Sequence, residues 1–290
     1  MFGFGTILYL FAAGAGAGLY VVKTCFDPRC ELKGRGPRDM QILERKVLLL
    51  APVLVCVGSL FLVLDLTRPE RFLLVFRSPD TSLISLGACL LVAFVALLAL
   101  ENALWSMSGS LVARVSVVVR ICASIVAVAV ILYTGFFLMG MKAIPFWRSP
   151  FVVALFTASS LSSGIALFLV LFAAAARRSK APRFVRRASL TDAGLVVVEL
   201  GLLASFLAVQ SGGGPASFEA CQRLLTGDLA WAFWVMLVGA GLLFPLAIDL
   251  VTKGAEAPRT CAAKGLAVLV GCFFLRYCIM EAGVRVLSLQ

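Results

Sequence analysis

Residues 115–140 read VSVVVRICASIVAVAVILYTGFFLMG and contain one charged side chain, Arg120. About 20 apolar residues are enough for an α-helix to cross a hydrocarbon core about 30 Å thick. A helix satisfies its backbone hydrogen bonds within the segment itself, as hydrocarbon requires. The stretch also lacks the two-residue alternation of a transmembrane strand. It is therefore predicted to be a transmembrane helix.

Similar apolar runs occur along the rest of the chain, near residues 3–22, 46–66, 82–104, 151–175, 190–210, 228–251 and 265–287. Of the 290 residues, 61% are hydrophobic and 14% are charged, whereas soluble domains carry about 25% charged residues. The predicted fold is an all-α polytopic membrane protein, a single domain over 1–290 with about eight transmembrane helices. Helices 1–4 (1–140) are expected to form one four-helix bundle and helices 5–8 (151–290) a second.

The first run is predicted to be an uncleaved helix, because no positive residue precedes it and Lys23 follows it, the reverse of a signal peptide. It contains Gly14-Ala-Gly-Ala-Gly18. No strand precedes these glycines, so they are predicted to allow close packing of helices and not to form a dinucleotide-binding loop.

The distribution of basic residues predicts the orientation. Loops that follow odd-numbered helices carry eighteen Lys and Arg residues, and the other loops carry six. Because positive residues accumulate in cytoplasmic loops, both termini are predicted to be extracytoplasmic. The same distribution accounts for the net charge of +11, so membrane lipid is the expected partner of these residues, and nucleic acid is not.

Histidine is absent from the sequence. This excludes bis-histidine haem and leaves zinc and non-haem iron without their usual imidazole ligands. The nine cysteines show no iron–sulfur spacing, and Cys25 and Cys30 form only an isolated C-x4-C pair. Neither haem nor metal is expected in this protein. A role in electron transfer would therefore require redox centres in a partner or a dissociable carrier.

Two polar residues near the predicted outer ends of helices are candidates for a site. Asp65 ends helix 2 and is followed by Arg68 and Arg71. It is predicted to form a helix-end ion pair with Arg68 or to accept a proton at the mouth of a site. Tyr133 lies deep in the outer half of helix 4, where a tyrosine hydroxyl needs a partner. That partner is either a neighbouring helix or the carbonyl of a ligand.

Charged residues also occur deeper within the runs, where a charge costs about 2.5–3.5 kcal/mol on insertion scales. Glu101 is predicted to pair with Arg120, and Glu199 with Arg276. Asp249, at the inner end of helix 7, is predicted to pair or to reach the interface. Such residues are either structural or part of a proton path, for which the candidates are Glu101, Glu199, Asp249 and Arg276.

Four stretches, in order, resemble the membrane subunit of polysulfide reductase and its relatives, the NrfD-like family. They are LDLTRPERF (64–72), YTGFFLMGMKAIPFWRSP (133–150), LFTASSLSSGIAL (155–167) and LRYCIMEAG (275–283). Eight spans with both termini outside also resemble this family, and the similarity covers nearly the whole sequence. Thr67 departs from the pattern, since the family commonly has glycine there.

The resemblance implies a haem-free anchor in the bacterial cytoplasmic membrane, one subunit of an anaerobic respiratory oxidoreductase and not a complete enzyme alone. Such subunits dock an extracytoplasmic, ferredoxin-like iron–sulfur subunit with four clusters, which exchanges electrons with a molybdopterin catalytic subunit. Menaquinone or another quinone is expected between the outer halves of helices 1–4. Tyr133 would hydrogen-bond a quinone oxygen and Asp65 would accept a proton beside Arg68 and Arg71. These arginines and the loop 144–150 would contact the partner.

Two other interpretations of the sequence remain open. The buried carboxylates are also compatible with a secondary transporter or channel, although no convincing internal repeat is found. The sequence is also compatible with a pure membrane anchor that has no active quinone site.

Overall fold

A computed structural model describes residues 3–26, 38–65, 83–107, 109–141, 143–175, 183–252 and 257–283. All regular secondary structure in these ranges is helical. The α-helices are α1 (Phe4–Cys25), α2 (Arg38–Leu64), α3 (Leu83–Trp105), α4 (Ser110–Met139), α5 (Pro150–Ala175), α6 (Arg183–Ser211), α7 (Pro215–Leu225), α8 (Phe244–Thr252) and α9 (Pro258–Ala282). A π-helical segment, Ala232–Leu243, continues directly into α8, and a 3-10 turn, Pro145–Trp147, joins α4 to α5.

Among the described residues, eight segments are long and apolar enough to span a membrane, with the π-helical segment and α8 forming one span together. The predicted all-α polytopic fold is thus confirmed. Two predicted boundaries are wrong. Helix α6 begins at Arg183 and not near residue 190, because the basic stretch before the apolar run is also helical. Helix α9 begins at Pro258, where a proline fits the first turn, and ends at Ala282 before Gly283 and not near residue 287.

The short helix α7 lies between the sixth and seventh spans, where the sequence predicts only a loop around 211–215. Its buried residues, Ser217, Ala220, Cys221 and Leu224, follow the spacing of one helical face. An ion pair at 2.8 Å joins Arg223, in the last turn of α7, to Asp228, which follows the helix. The hydrogen bond from the Arg223 guanidinium holds the pKa of the Asp228 carboxyl below its usual value.

Helices α1 and α5 form the centre of the fold. Within the apolar membrane-spanning stretch, 78% of α1 and 72% of α5 is buried inside the protein. The buried share is 28% in α2, α4 and α6. Gly18 and Gly164 bring the two helices together, because a Cβ atom on either glycine would overlap the backbone of the other helix. Gly14 similarly faces Ser160. The prediction that the glycines of the first run allow close helix packing is confirmed.

Helix α1 begins at one end of the molecule, which we call the N-terminal face. Helices α2, α4, α6 and α9 reach their last residues at this same face. At this face, hydrogen bonds join segments that are far apart in sequence. Thr6 is bonded to Asp65, and Trp147 is bonded to Ile279. The predicted extracytoplasmic position of this face stays a prediction. The division into two bundles also stays a prediction; α1 packs against α2, α4 and α5.

Candidate functional site

Tyr133 lies nearly two turns before the end of α4 and is 5% exposed. Its ring lies against Gly87 of α3, where a Cβ atom would overlap the ring and the hydroxyl. The phenyl ring of Phe137, one turn later, lies beside it with 6.0 Å between centroids. The absence of a side chain at residue 87 therefore makes room for the Tyr133 phenol between α3 and α4.

A second tyrosine, Tyr9 of α1, is 2% exposed. Helix α1 packs against α4, which carries Tyr133. Tyr9, Gly87 and Tyr133 lie about 6–9 Å below the N-terminal face, at 1.5 Å per helical residue. Neither hydroxyl has a hydrogen-bond partner among the described residues, although buried tyrosine hydroxyls usually do. We call these three residues the tyrosine site.

Asp65 follows the last residue of α2 and lies at the N-terminal face. Its carboxylate accepts hydrogen bonds from the backbone N–H of Thr6 at 3.3 Å and from the Thr6 hydroxyl at 3.0 Å. It therefore caps α1, whose own N-cap residue is Gly3 and supplies no side-chain acceptor. A Cβ atom on Gly3 would overlap the carboxylate. The sequence pattern gives no sign of the contact with Thr6.

The carboxylate of Asp65 lies one helical turn closer to the surface than Tyr9, because Thr6 precedes Tyr9 by three residues. The structure thus brings the two predicted site residues, Asp65 and Tyr133, to the same end of α1–α4. Arg68 and Arg71, and with them the predicted ion pair of Arg68 with Asp65, lie outside the described residues. Hydrogen-bond donors inside and a carboxylate at the rim suit a ligand that has polar oxygens and releases protons.

Glu101 of α3 lies at the opposite face and is buried in a closed network. One carboxylate oxygen accepts a hydrogen bond from the Tyr20 hydroxyl at 2.6 Å, and the other accepts one from Lys23 at 2.8 Å. The Nε atom of Arg120 lies 3.6 Å from Glu101. The predicted Glu101–Arg120 pair is confirmed. The partners on α1, Tyr20 and Lys23, were not predicted, and Lys23 was assigned to the loop after the helix.

Arg276 of α9 is fully buried, but its predicted ion pair with Glu199 is wrong. The guanidinium donates to the hydroxyls of Ser159 and Ser160, each at 2.8 Å, and to the Cys272 carbonyl. The Oε1 atom of Glu199 has no hydrogen-bond partner in the described part of the protein. The serines of α5 replace the carboxylate as partners, and the run of serines in 159–163 is the signal that was overlooked.

Lys264 of α9 is fully buried and forms a second ionic cluster towards the face opposite the N-terminal face. Its ammonium group lies 2.8 Å from Asp249 and 3.4 Å from Asp192, and it donates to the Ser189 hydroxyl at 2.7 Å. The predicted pairing of Asp249 is confirmed. Asp192 and Lys264 were missed because both lie near the wrongly predicted starts of α6 and α9.

The family model described as "Polysulphide reductase, NrfD" matches residues 1–288. The protein is 31% identical to Protein NrfD of Escherichia coli (strain K12) over 304 residues, which cover 95% of this sequence and 92% of that protein. With the same coverage, it is 28% identical to the C subunit of polysulfide reductase from Wolinella succinogenes and 27% identical to the NrfD homolog of Haemophilus influenzae. The protein belongs to the NrfD family of polysulphide reductase proteins.

In this NrfD-family protein, the described residues of the four stretches that carry the predicted resemblance occupy two regions. Asp65 and Tyr133 lie near the N-terminal face. Ser159, Ser160 and Arg276 meet deeper in the protein, between α5 and α9. The family pattern therefore accounts for two groups of residues, only the first of which was predicted as a ligand site.

The loop 144–150 of this NrfD-family protein is anchored in the core. Phe146 and Trp147 are almost fully buried. The Trp147 indole donates to the Ile279 carbonyl at 2.8 Å, and the Gln210 amide donates to the Phe146 carbonyl. Both rings therefore lie inside the protein and are not available to a partner. Only Pro145, Arg148 and their exposed neighbours remain at the surface for a partner.

Proposed function

We propose that this protein is the haem-free quinol- or quinone-binding membrane subunit of a multisubunit anaerobic respiratory oxidoreductase in the bacterial cytoplasmic membrane. Membership of the NrfD family and similarity to a subunit of a polysulfide reductase support a role as one subunit of such a complex. The observation that carries the quinone assignment is Tyr133, a buried residue whose hydroxyl makes no hydrogen bond to another described residue and which lies at the same end of α1–α4 as the Asp65 carboxylate.

The residues of the tyrosine site fit a quinone head group. Quinone oxygens accept hydrogen bonds, and the Tyr133 hydroxyl is a donor without a protein acceptor in the described residues. Gly87 makes room for the Tyr133 phenol between α3 and α4, and the rings of Tyr133 and Phe137 suit a flat apolar ligand. Histidine is absent from the sequence, so no imidazole is available to hold the oxygen.

Oxidation of a quinol to a quinone releases two electrons and two protons. Within this protein, Tyr133 holds an oxygen of the head group. Asp65 accepts the two protons one after the other at the N-terminal face and passes each to water, because its side chain is exposed there. The electrons pass to an iron–sulfur cluster of an extracytoplasmic, ferredoxin-like subunit that serves a molybdopterin subunit. Arg68, Arg71 and the exposed part of the loop 144–150 contribute to the surface that binds this partner.

The test is purification of the tagged protein from its native membrane in mild detergent. Bound menaquinone or ubiquinone is measured after solvent extraction, and co-purifying iron–sulfur protein is identified from its iron and its mass. Tyr133→Phe is expected to lower quinol oxidation at least tenfold with the complex intact. The matched control is Tyr20→Phe, whose hydroxyl bonds to Glu101 at the opposite face.

Three results would contradict the proposal. Normal turnover in Tyr133→Phe would remove that residue from the site. A complex that assembles but holds no quinone and oxidises no quinol would indicate a pure anchor. A protein that purifies alone and moves a solute in liposomes would indicate a transporter.

A second role, proton movement through α5, α6, α8 and α9, is supported by Glu199. This carboxyl group is 1% exposed, and one of its oxygens has no partner among the described residues. Arg276 lies on the side of Glu199 towards the N-terminal face, and the Lys264–Asp249 cluster on the other. We propose Glu199, Asp249 and Arg276 as members of this path. Glu101 fits less well, because its two oxygens are already bonded to Tyr20 and Lys23.

A further inference from the structure

The short helix α7 has an exposed side that the proposed function does not explain. Successive residues of an α-helix are rotated by about 100°. Phe218 and Leu225 therefore lie on one side of the buried face of α7, and we call this pair the apolar flank. Glu219 and Arg223 lie on the other side, and we call them the charged flank. Helix α7 thus has two exposed flanks of different chemistry.

The charged flank faces water and polar groups of the protein itself. The Arg223 guanidinium pairs with Asp228 at 2.8 Å and donates a hydrogen bond to the Glu281 carbonyl at the end of α9, at 3.2 Å. This pair is open to water, since the Asp228 side chain is 62% exposed. Glu219 is also exposed. The charged flank therefore suits an aqueous surface at the N-terminal face.

The apolar flank leads to the beginning of the seventh span. The Trp234 indole N–H donates to the Leu225 carbonyl at 3.1 Å, so Trp234 lies against the end of α7. Three large aromatic side chains are exposed along this part of the chain: Phe218 is 49% exposed, Trp231 60% and Trp234 52%. An aqueous surface would leave these rings in water. They mark α7 and the first turn of the span as an apolar surface that something else covers.

The surface of the seventh span indicates what covers this side of α7. Trp231 directly precedes Ala232, where the apolar stretch begins, and tryptophan is enriched where a span enters the headgroup layer. Val235, one residue after Trp234, is 48% exposed in the span and faces the acyl chains. The apolar flank continues this lipid-facing surface beyond the end of the span. Amphipathic helices lie at such a boundary with their apolar side towards the acyl chains.

We propose that α7 is an interfacial helix whose apolar flank, Phe218 and Leu225, lies in the phospholipid headgroup layer at the N-terminal face. The partner of this flank is membrane lipid, which it contacts through apolar groups and not through charge. A protein that covered Phe218 would have to displace lipid beside Trp234. The charged flank remains open to water or to a soluble partner. This inference does not depend on the proposed quinone site.

The experiment places the photo-crosslinking residue p-benzoylphenylalanine at single positions of the full-length protein in its native membrane. It replaces Phe218 in the test protein, Glu219 in the control on the charged flank and Val235 in the reference within the span. After irradiation, adducts on the peptides of each protein are identified by mass. Phospholipid adducts at Phe218 are expected to be at least fivefold more abundant than at Glu219 and to approach the level at Val235.

Two results of this experiment would overturn the proposal. An adduct of Phe218 with another protein would identify the apolar flank as a protein-binding surface. A phospholipid adduct at Val235 without one at Phe218 would place α7 in water, above the membrane.

A second measurement applies where the Phe218 variant fails to assemble. Tryptophan emission of the otherwise unaltered protein is quenched with phospholipids brominated close to the headgroup, in liposomes. Replacement of both Trp231 and Trp234 by Phe is expected to reduce the quenched emission at least twofold, because Trp147 is buried inside the protein. Unchanged quenching would place the beginning of the seventh span, and α7 with it, away from the headgroup layer and would overturn the proposal.

Discussion

Asp65 accepts two hydrogen bonds from Thr6, one from its backbone N–H at 3.3 Å and one from its hydroxyl at 3.0 Å. The contact joins the end of α2 to the first turn of α1. A carboxylate at a helix N-terminus is favoured by the unpaired N–H groups and by the helix dipole. The residue predicted to accept protons at the site thus also fixes the helix that carries Tyr9.

Removal of the Thr6 hydroxyl should loosen this junction. Thr6→Val retains the shape and the N–H group, and we expect it to lower the free energy of unfolding by about 1 kcal/mol, the value of one hydrogen bond. Asp65→Ala should lower it by about 0.5–2 kcal/mol, as loss of a helix cap does. The measurement is unfolding by SDS in mixed micelles, followed by tryptophan fluorescence.

The control for Thr6→Val is Thr191→Val. Thr191 is exposed, and its hydroxyl bonds only to the Arg187 carbonyl in the same helix. Its replacement should change stability little. Equal effects of the two threonine variants would show that the bond to Asp65 does not stabilise the fold.

The contact between α1 and α5 predicts opposite effects for two glycine substitutions. Gly164→Ala places a methyl group against the backbone of Gly18. Such overpacking should lower the free energy of unfolding by about 1–3 kcal/mol. Gly194→Ala, in α6, meets nothing within 4 Å and should be neutral or slightly stabilising, because alanine favours helices. Matching stabilities in the micelle assay would contradict the tight contact at residues 18 and 164.

The parts of the fold that follow from local sequence were predictable. A run of apolar residues long enough to cross the membrane identifies a span without knowledge of its neighbours, and small residues in α1 identify a tight contact. The starts of α6 and α9 were not predictable in this way, because each helix begins in polar residues that precede its apolar run. Lys264 was consequently assigned to a loop, although it is fully buried between two aspartates.

The candidate site was predictable only in part. Asp65 and Tyr133 stand out because the resemblance includes them and because each is polar near the end of an apolar run. Tyr9 does not stand out, since tyrosines near helix ends commonly face the membrane interface. Its burial depends on the way α1 is turned, which is decided by α2 and α5. The partner of Arg276 likewise depends on the register of α5 against α9.

The Lys264 cluster should be sensitive to loss of its cation. Lys264→Met leaves the fully buried Asp192 without its cation and removes an ion pair of Asp249, and removal of one partner of a buried pair costs about 3–5 kcal/mol. We therefore expect a large loss of folded protein in membranes and a lower midpoint of unfolding in SDS. Arg259→Gln, at an exposed position in the same helix, is the control and should resemble the wild type.

A compensating variant separates the charge effect from a general packing defect. Lys264→Met combined with Asp192→Asn and Asp249→Asn removes all three charges together. Partial recovery of stability is expected, since neutral groups of similar size are less costly to bury than isolated charges. A triple variant that is less stable than Lys264→Met alone would show that the ammonium group matters for packing and not for charge balance.

Glu199 allows a prediction that distinguishes a structural carboxylate from one that carries protons. The group is 1% exposed, and its Oε1 atom lacks a partner among the described residues. A lone ionised carboxylate in such surroundings is very unfavourable, so the side chain should be protonated at rest. Glu199→Gln has nearly the same size and no charge. Stability should therefore change by no more than one neutral hydrogen bond, about 1 kcal/mol, while the carboxylic acid C=O band disappears from the infrared spectrum.

The functional readout for this variant is proton movement in liposomes that contain the whole complex. Quinol oxidation should continue in Glu199→Gln, because Tyr9, Tyr133 and Asp65 are unchanged, but proton uptake from the side of the Lys264 cluster should be lost. Glu219→Gln, an exposed residue of α7, should leave both activities intact. A Glu199→Gln protein that is strongly destabilised would instead identify Glu199 as a charged structural residue. Unchanged proton uptake would show that protons cross this half of the protein by another route or not at all.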